Sequence, residues 1–298
     1  MSQNEGTSFP DPYCRELSGR VTMDDRFPFA SGGNSNIYRG RLLLTDGHRI
    51  RVAIKMIRCP DDDVGQMDRR MRREVEIWRR LKHRNVLPFF GVCDDITPRP
   101  VLISMFCAFG HVGSYLKAYP TANRHELVYG VTSGLHYLHE NDVVHGDLKP
   151  QNVLVDSNGI PCICDFGFAK IITHPGFTTL SVGTVPYIAP ELFLVLDDAE
   201  NTDVSLPRTT KYTDVYSFAL LVLEILTSEQ PKRRPSTIFM KIEVLLALHP
   251  QRGDYDASTI ANEMWDVLDH CWAFDAELRP TMAQILNRSP FLGFGTTV

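Results

Sequence analysis

Apolar and polar positions change period along this chain, and the changes mark its elements. Phe27-Pro-Phe-Ala-Ser-Gly-Gly-Asn-Ser-Asn-Ile-Tyr-Arg-Gly40, continued by Arg41-Leu-Leu-Leu-Thr45, patterns as a strand, a glycine-containing turn and a second strand. Val52-Ala-Ile-Lys55 is an apolar run with one embedded lysine and predicts a further strand. Spacings of three and four then take over, because Met67, Met71, Glu74, Trp78 and Leu81 share one face of a predicted helix. An acid on that apolar stripe is costly unless paired, and Lys55 is the natural counter-ion for Glu74. The opposite face carries Arg69, Arg70, Arg72, Arg73, Arg79 and Arg80, which reads as a solvated face ahead of a surface for nucleic acid or an acidic partner.

Downstream, residues 83–91 pattern as a turn into a strand and 101–107 as a buried strand. A helix is expected around 114–119, and a long amphipathic one through Leu127, Val131, Gly134, Leu135 and Leu138, stopping before Asn141. Residues 152–156 and 160–164 suggest a short hairpin. Residues 214–226 are apolar nearly all round, hence a core helix, with Asp214 placed to cap it or to brace a loop. Helices are also predicted over 238–248 and 260–272. Residues 1–25 are polar and aperiodic and predict a loose extension, and an acidic stretch with Asp197, Asp198, Glu200 and Asp203 predicts a surface loop.

Composition narrows the class without naming a function. A chain of 298 residues buries a sizeable core as one large domain or two modest ones. Its 43% hydrophobic and 22% charged content is that of a globular protein, and a net charge of -5 gives no general attraction to nucleic acid or anionic membrane. The seven cysteines lack the paired spacing of a zinc site and read as reduced thiols, with Cys162 and Cys164 as small buried hydrophobes on one strand face. No signal-peptide pattern opens the chain. The most apolar run, 218–226, is interrupted by Glu224 and too short to span a bilayer, so a cytoplasmic location is expected, with the nucleus as the second compartment.

Chemistry concentrates in His145-Gly-Asp-Leu-Lys-Pro-Gln-Asn152 and the following Asp165-Phe-Gly167. Asp147 offers a carboxylate to orient a hydroxyl, Lys149 a cation for a phosphoryl oxygen, and Asn152 with Asp165 an amide and a carboxylate for magnesium. Phosphoryl transfer needs an attacking hydroxyl held in line and neutralised phosphate charge, and these residue types meet that need. A single loop carboxylate is usually a turn former or cap. His145 reads as a packing residue of the loop and not as an acid or base.

Together these segments resemble the protein kinase family. Val-Ala-Ile-Lys, the inward Glu74, the catalytic loop, Asp-Phe-Gly and Ala189-Pro-Glu191 stand in the family's order over almost the whole chain. Lys149, two residues after Asp147, and Thr184 before Val-Pro-Tyr resemble kinases that act on serine and threonine. Cys271-Trp through Arg279-Pro280 is similar to the closing signature of the tyrosine-kinase-like group. The resemblance implies an α+β, bilobal fold, with a small β-sheet lobe bearing one main helix (about 26–104), a hinge (about 105–110) and a larger, mostly helical lobe (about 111–293). It implies Asp147 as catalytic base, Lys149 on the transferred phosphoryl group, and Lys55 paired to Glu74. It implies ATP binding by Ala30, Gly32, Gly33, Ser35, Ile37, Ala53, Lys55, Ser104, Met105, Cys107 and Leu154. Ser104 stands at the gatekeeper position, and Met105 to Cys107 meet the adenine through the backbone. It further implies Mg2+ on Asn152 and Asp165, a buried Arg279–Glu191 pair and a protein substrate; from the charge balance no nucleic-acid partner is expected, and the chain is expected to be a monomer.

The sequence departs from the family mildly at Ala219, where glycine is usual, and at three places that bear on its chemistry. Ala30 and Ser35 replace the outer glycines of the glycine-rich loop, and Gly146 replaces the arginine that binds a phosphorylated activation segment. Activity is therefore expected not to depend strictly on phosphorylation of Thr178, Thr179 or Ser181. The same departures fit a pseudokinase, a nucleotide-binding scaffold without transfer. A small-molecule phosphotransferase would share the Asp and Asn logic but not the segment around Thr184 and Ala-Pro-Glu.

Overall fold

Six strands build one antiparallel sheet in the computed structural model, which describes residues 16–32, 35–58, 64–171, 185–194, 209–232, 249–256 and 258–288. They are β1 (Val21–Met23), β2 (Ala30–Ser31), β3 (Ser35–Leu43), β4 (Arg49–Ile57), β5 (Phe89–Cys93) and β6 (Val101–Met105). Their order is β1-β3-β4-β6-β5, with β2 paired to β3. Strand side chains alternate, so Val52 and Ile54 of β4 turn to one face and Ala53 and Lys55 to the other. The first face closes on Leu17, Val21, Leu42, Cys93, Val101 and Ile103. The helix α1 (Val64–Trp78) buries Met67, Met71, Val75 and Trp78, and Trp78 stacks on Phe89 with ring centroids 4.9 Å apart. Leu81 lies beyond the end of α1 and is still buried.

Residues 16–25 correct the expectation of a loose extension up to residue 25. The β1 strand pairs with β3 through Val21, Thr22 and Met23, and buried Leu17 donates its N–H to the Val92 carbonyl at 2.8 Å. A three-residue strand holds barely one alternation, too little to register as a period. The chain divides into two compact units, Met1–Lys82 with Pro88–Phe106 and His83–Leu87 with Cys107–Val298, and the sheet with α1 belongs to the first.

The second unit holds α2 (Val112–Ala118), α3 (Arg124–Glu140), β7 (Val143–Val144), the hairpin β8 (Val153–Val155) and β9 (Pro161–Ile163), and β10 (Lys170–Ile171), which pairs with β7. Then follow α4 (Glu191–Leu194), α5 (Lys211–Thr227), α6 (Asn262–Cys271) and α7 (Met282–Leu286). The α5 helix starts three residues before Asp214 because Thr210 caps it, exchanging hydrogen bonds with Thr213. It is enclosed on nearly every side, as its composition predicts. No described helix is long and apolar enough to cross a membrane. The helix expected over 238–248, the acidic stretch with Asp197 to Asp203, and Thr178, Thr179, Ser181 and Thr184 lie outside the described residues.

Candidate active site

Register brings one set of the predicted residues to a common face of the first unit. Ile37 pairs with Lys55 and with Ala30, and Ala53 pairs with Ser104. Directly opposed residues of antiparallel strands share a face, so Ala30, Ile37, Ala53, Lys55 and Ser104 point to the same side of the sheet. Lys55 Nζ reaches Glu74 Oε1 of α1 at 2.5 Å, and both side chains are almost fully enclosed. The pairing expected from an acid on an apolar stripe is thus formed. Ser104 is buried, and Ser35, at a position that a glycine occupies in the family, fits within β3 with its small side chain buried opposite Ile57. Ala30 and Gly32 are exposed, and Gly33 lies outside the described residues. Met105 turns its side chain to the other face, opposite Val52, and commits its N–H to the Pro88 carbonyl at 3.1 Å.

A second set of the predicted residues lies on the second unit, and α5 organises it. Asp214 is buried in the first turn of that helix. Its Oδ2 accepts from the backbone N–H of His145 at 2.8 Å and lies 3.0 Å from His139 Nε2, and its Oδ1 accepts from Gly146 N–H at 2.8 Å. The brace that the sequence suggested is this carboxylate on the loop after β7. Fully buried His145 then relays the loop to the next segment. Its Nδ1 accepts from Asp147 N–H at 3.2 Å, so Nε2 carries the hydrogen and donates to the Cys164 carbonyl at 3.0 Å. Its ring also meets Phe166 edge-on. His145 is therefore a structural clamp.

Asp147 is what this clamp holds. Its Oδ2 takes Lys149 Nζ at 2.6 Å and Asn152 Nδ2 at 3.1 Å, while Asn152 Nδ2 also donates to the Asp147 carbonyl at 2.7 Å. With its Nδ2 turned to Asp147, Asn152 keeps its Oδ1 as the acceptor end. Cys164 N–H donates to the Asn152 carbonyl at 2.9 Å, which ties the residue before Asp165 to Asn152. Asp165 itself is half-buried and holds a left-handed backbone, φ 66°. A non-glycine residue rarely adopts that region, and such conformations cluster where a side chain must be aimed. Two oxygen donors, Asn152 Oδ1 and the Asp165 carboxylate, suit a hard divalent cation such as Mg2+. Leu154, in β8 opposite Cys162, is half-buried, and Cys107 is buried at the start of this unit.

Farther along the unit, Arg279 forks onto Glu191 with Nη1–Oε1 at 2.6 Å and Nη2–Oε2 at 2.8 Å. The same guanidinium donates to the carbonyls of Ala273 and Tyr212 and stacks over the Tyr216 ring. Tyr187 donates its hydroxyl to Glu224, the acid that interrupts the apolar run of α5, and burial raises the pKa of that carboxyl. Burial also pushes the thiols of Cys93, Cys162 and Cys271 up to about 12, so they stay protonated and unreactive at neutral pH. Sequence reasoning missed His139 as a partner of Asp214. A histidine at a helix end carries no signal of a carboxylate that arrives 75 positions later.

A model of the protein kinase domain matches residues 30–292. The chain belongs to the protein kinase family. Among similar curated kinases, serine/threonine-protein kinase STY17 of Arabidopsis thaliana is 27% identical over 263 residues, covering 87% of this chain and 42% of that protein. The L-type lectin-domain containing receptor kinase VII.1 of the same plant is 29% identical over 300 residues, 93% of this chain and 41% of that protein. Mitogen-activated protein kinase kinase kinase dlk-1 of Caenorhabditis elegans is 30% identical over 205 residues, 67% of this chain and 19% of that protein. The chain thus spans less than half the length of these kinases. The bilobal α+β kinase fold expected from the sequence agrees with the family match and with the β-sheet unit followed by a mainly helical one.

Proposed function

We propose that this kinase domain transfers the γ-phosphoryl group of ATP to serine or threonine hydroxyls of a protein substrate. The observation that carries the reading is Asp147, an enclosed carboxylate held by Lys149, Asn152 and, through its own N–H, His145. In this reading Asp147 accepts the hydrogen bond of the incoming hydroxyl, aligns its oxygen with the γ-phosphorus and takes the proton as the new P–O bond forms and the bond to the ADP oxygen breaks. Lys149, already at the Asp147 carboxylate, balances negative charge on the moving phosphoryl group. Lys55, fixed by Glu74, holds the remaining phosphates, and Asn152 with Asp165 holds magnesium. Magnesium, when bound, neutralises phosphate charge. Ala30, Gly32, Gly33, Ser35, Ile37, Ala53, Ser104, Met105, Cys107 and Leu154 are assigned to the nucleotide.

The test is transfer of labelled γ-phosphate from magnesium ATP to a generic protein substrate, with phosphoamino-acid analysis and an Asp147→Asn control. Label on serine or threonine that vanishes in the control is the expected result. Absent transfer with magnesium-dependent ATP binding intact would favour the scaffold reading. We also propose that activity does not require phosphorylation of the activation segment, because Gly146 leaves no cation where the family has its arginine. A Thr178→Ala, Thr179→Ala, Ser181→Ala triple variant is expected to keep most of its activity, and an inactive but folded variant would refute this.

A further inference from the structure

A face of the second unit, remote in sequence from the catalytic loop, has the features of a peptide-docking site. After α6 the chain turns outward through Trp272, Ala273 and Phe274, and beside this turn lies a cavity of about 200 Å³ lined by Pro190, Tyr216, His249, Asp269, Trp272 and Phe274, among others. That volume falls below the roughly 300–1,000 Å³ of sites that enclose a whole small ligand, and it suits one side chain packed against Pro190, Tyr216, Trp272 and Phe274. Phe274 stands 45% exposed at its edge and Leu278 72% exposed four positions on, two large apolar side chains near one another on this face. The turn is also held rigid. Arg279 donates to the Ala273 carbonyl at 2.8 Å while forking onto Glu191, and Trp272 packs edge-on against Trp265. A cavity with fixed walls loses little entropy when filled.

Charge identifies the occupant. Residues 253–278 carry seven carboxylates (Asp254, Asp256, Glu263, Asp266, Asp269, Asp275, Glu277) and no lysine or arginine. All seven are exposed. Asp266 and Asp269, three apart on α6, share its outer face, and Asp275 directly follows Phe274. Trp272, itself buried, has an indole N–H with no hydrogen-bond partner among the described residues. We propose that this face binds a segment of a partner protein in which one apolar side chain is flanked by arginine or lysine. The apolar side chain fills the cavity beside Phe274 and the basic residues face Asp266, Asp269 and Asp275.

The experiment reads binding directly and without nucleotide, so its outcome is separate from that of the transfer assay. Fluorescence anisotropy of the full chain is measured with a labelled peptide that places a leucine between pairs of arginines. Matched peptides carry glycine for the leucine or glutamates for the arginines. The leucine–arginine peptide is expected to bind, and each control peptide to bind about tenfold more weakly. Phe274→Ser and Asp269→Asn, both at exposed positions, are expected to weaken it by about tenfold with unchanged melting temperature, while Asp147→Asn leaves it unchanged. Equal affinity for the glycine peptide, indifference to Phe274→Ser and Asp269→Asn, or no binding at about 1 mM would overturn the proposal. So would a dimer, seen by light scattering, that Phe274→Ser dissociates, since the face would then belong to a second copy.

Discussion

Gly146 occupies a backbone at φ 79° where an added Cβ would stand 3.1 Å from the Phe168 carbonyl oxygen. The left-handed region costs an L side chain about 1–2 kcal/mol, and here the close carbonyl adds to it. Gly146→Ala is therefore expected to lower stability by roughly that amount, read as a drop in the urea midpoint with unchanged slope. The residue thus relieves local strain, whereas an arginine there would have to tolerate it. Asp165 makes the opposite choice, holding a left-handed φ with a side chain present.

Among elements, α3 and α5 do most to set the site. The 83–87 turn and β9 lie directly on α3 because Gly134 has no side chain, and a Cβ there would stand 2.6 Å from the Asn85 carbonyl oxygen. Gly134→Ala gains about 1 kcal/mol of helix propensity, yet the forced retreat of a backbone carbonyl should outweigh it, for a net loss of about 1–2 kcal/mol by thermal denaturation. In α5, Asp214 serves three donors at once. Asp214→Asn turns an amide N–H2 toward one of them and is expected to cost about 2–3 kcal/mol and to loosen the loop that carries Asp147, lowering transfer without abolishing ATP binding. Glu224 sets a pH dependence. Its folded pKa lies above the ordinary 4.5 because burial disfavours the carboxylate, so the folded state binds the proton more tightly than the unfolded state. The stabilisation from this group is complete below 4.5 and is lost as pH rises through the folded pKa. Glu224→Gln, which cannot ionise, should gain stability relative to the unsubstituted chain as pH climbs from about 4.5 to neutrality, and a constant difference would count against burial as the cause.

At the scale of the whole molecule, the chain sorts its chemistry between two units. Lys55, Glu74 and the β2, β3, β4 and β6 residues assigned to the nucleotide sit on one, and Asp147, Lys149, Asn152, Leu154 and Asp165 on the other. Binding that favours the folded state raises stability by mass action, so magnesium ATP at a hundredfold excess over Kd is expected to add about 2.7 kcal/mol. Lys55→Met and Asp165→Asn, one on each unit, should each remove most of that gain, measured as the ligand-induced shift in Tm. A full shift in either variant would separate that residue from nucleotide binding.

Much of this was legible before any coordinates. Period decided α1, α3 and α5, because a long amphipathic or wholly apolar helix repeats its signal over several turns. Order and spacing decided the family and singled out Lys55, Asp147, Lys149, Asn152 and Asp165 as candidates, because phosphoryl transfer admits few residue types in those roles. The Lys55–Glu74 pair could be read because a buried charge demands its opposite, and the Arg279–Glu191 pair followed from the family resemblance. Tertiary structure alone decided that β1 completes the sheet, that His139 and two backbone N–H groups converge on Asp214, that Gly146 sits in a left-handed turn, and that Phe274 and Asp269 line one cavity. Each of those depends on positions far apart in the chain meeting in space, or on a single φ angle, and neither leaves a period in the sequence.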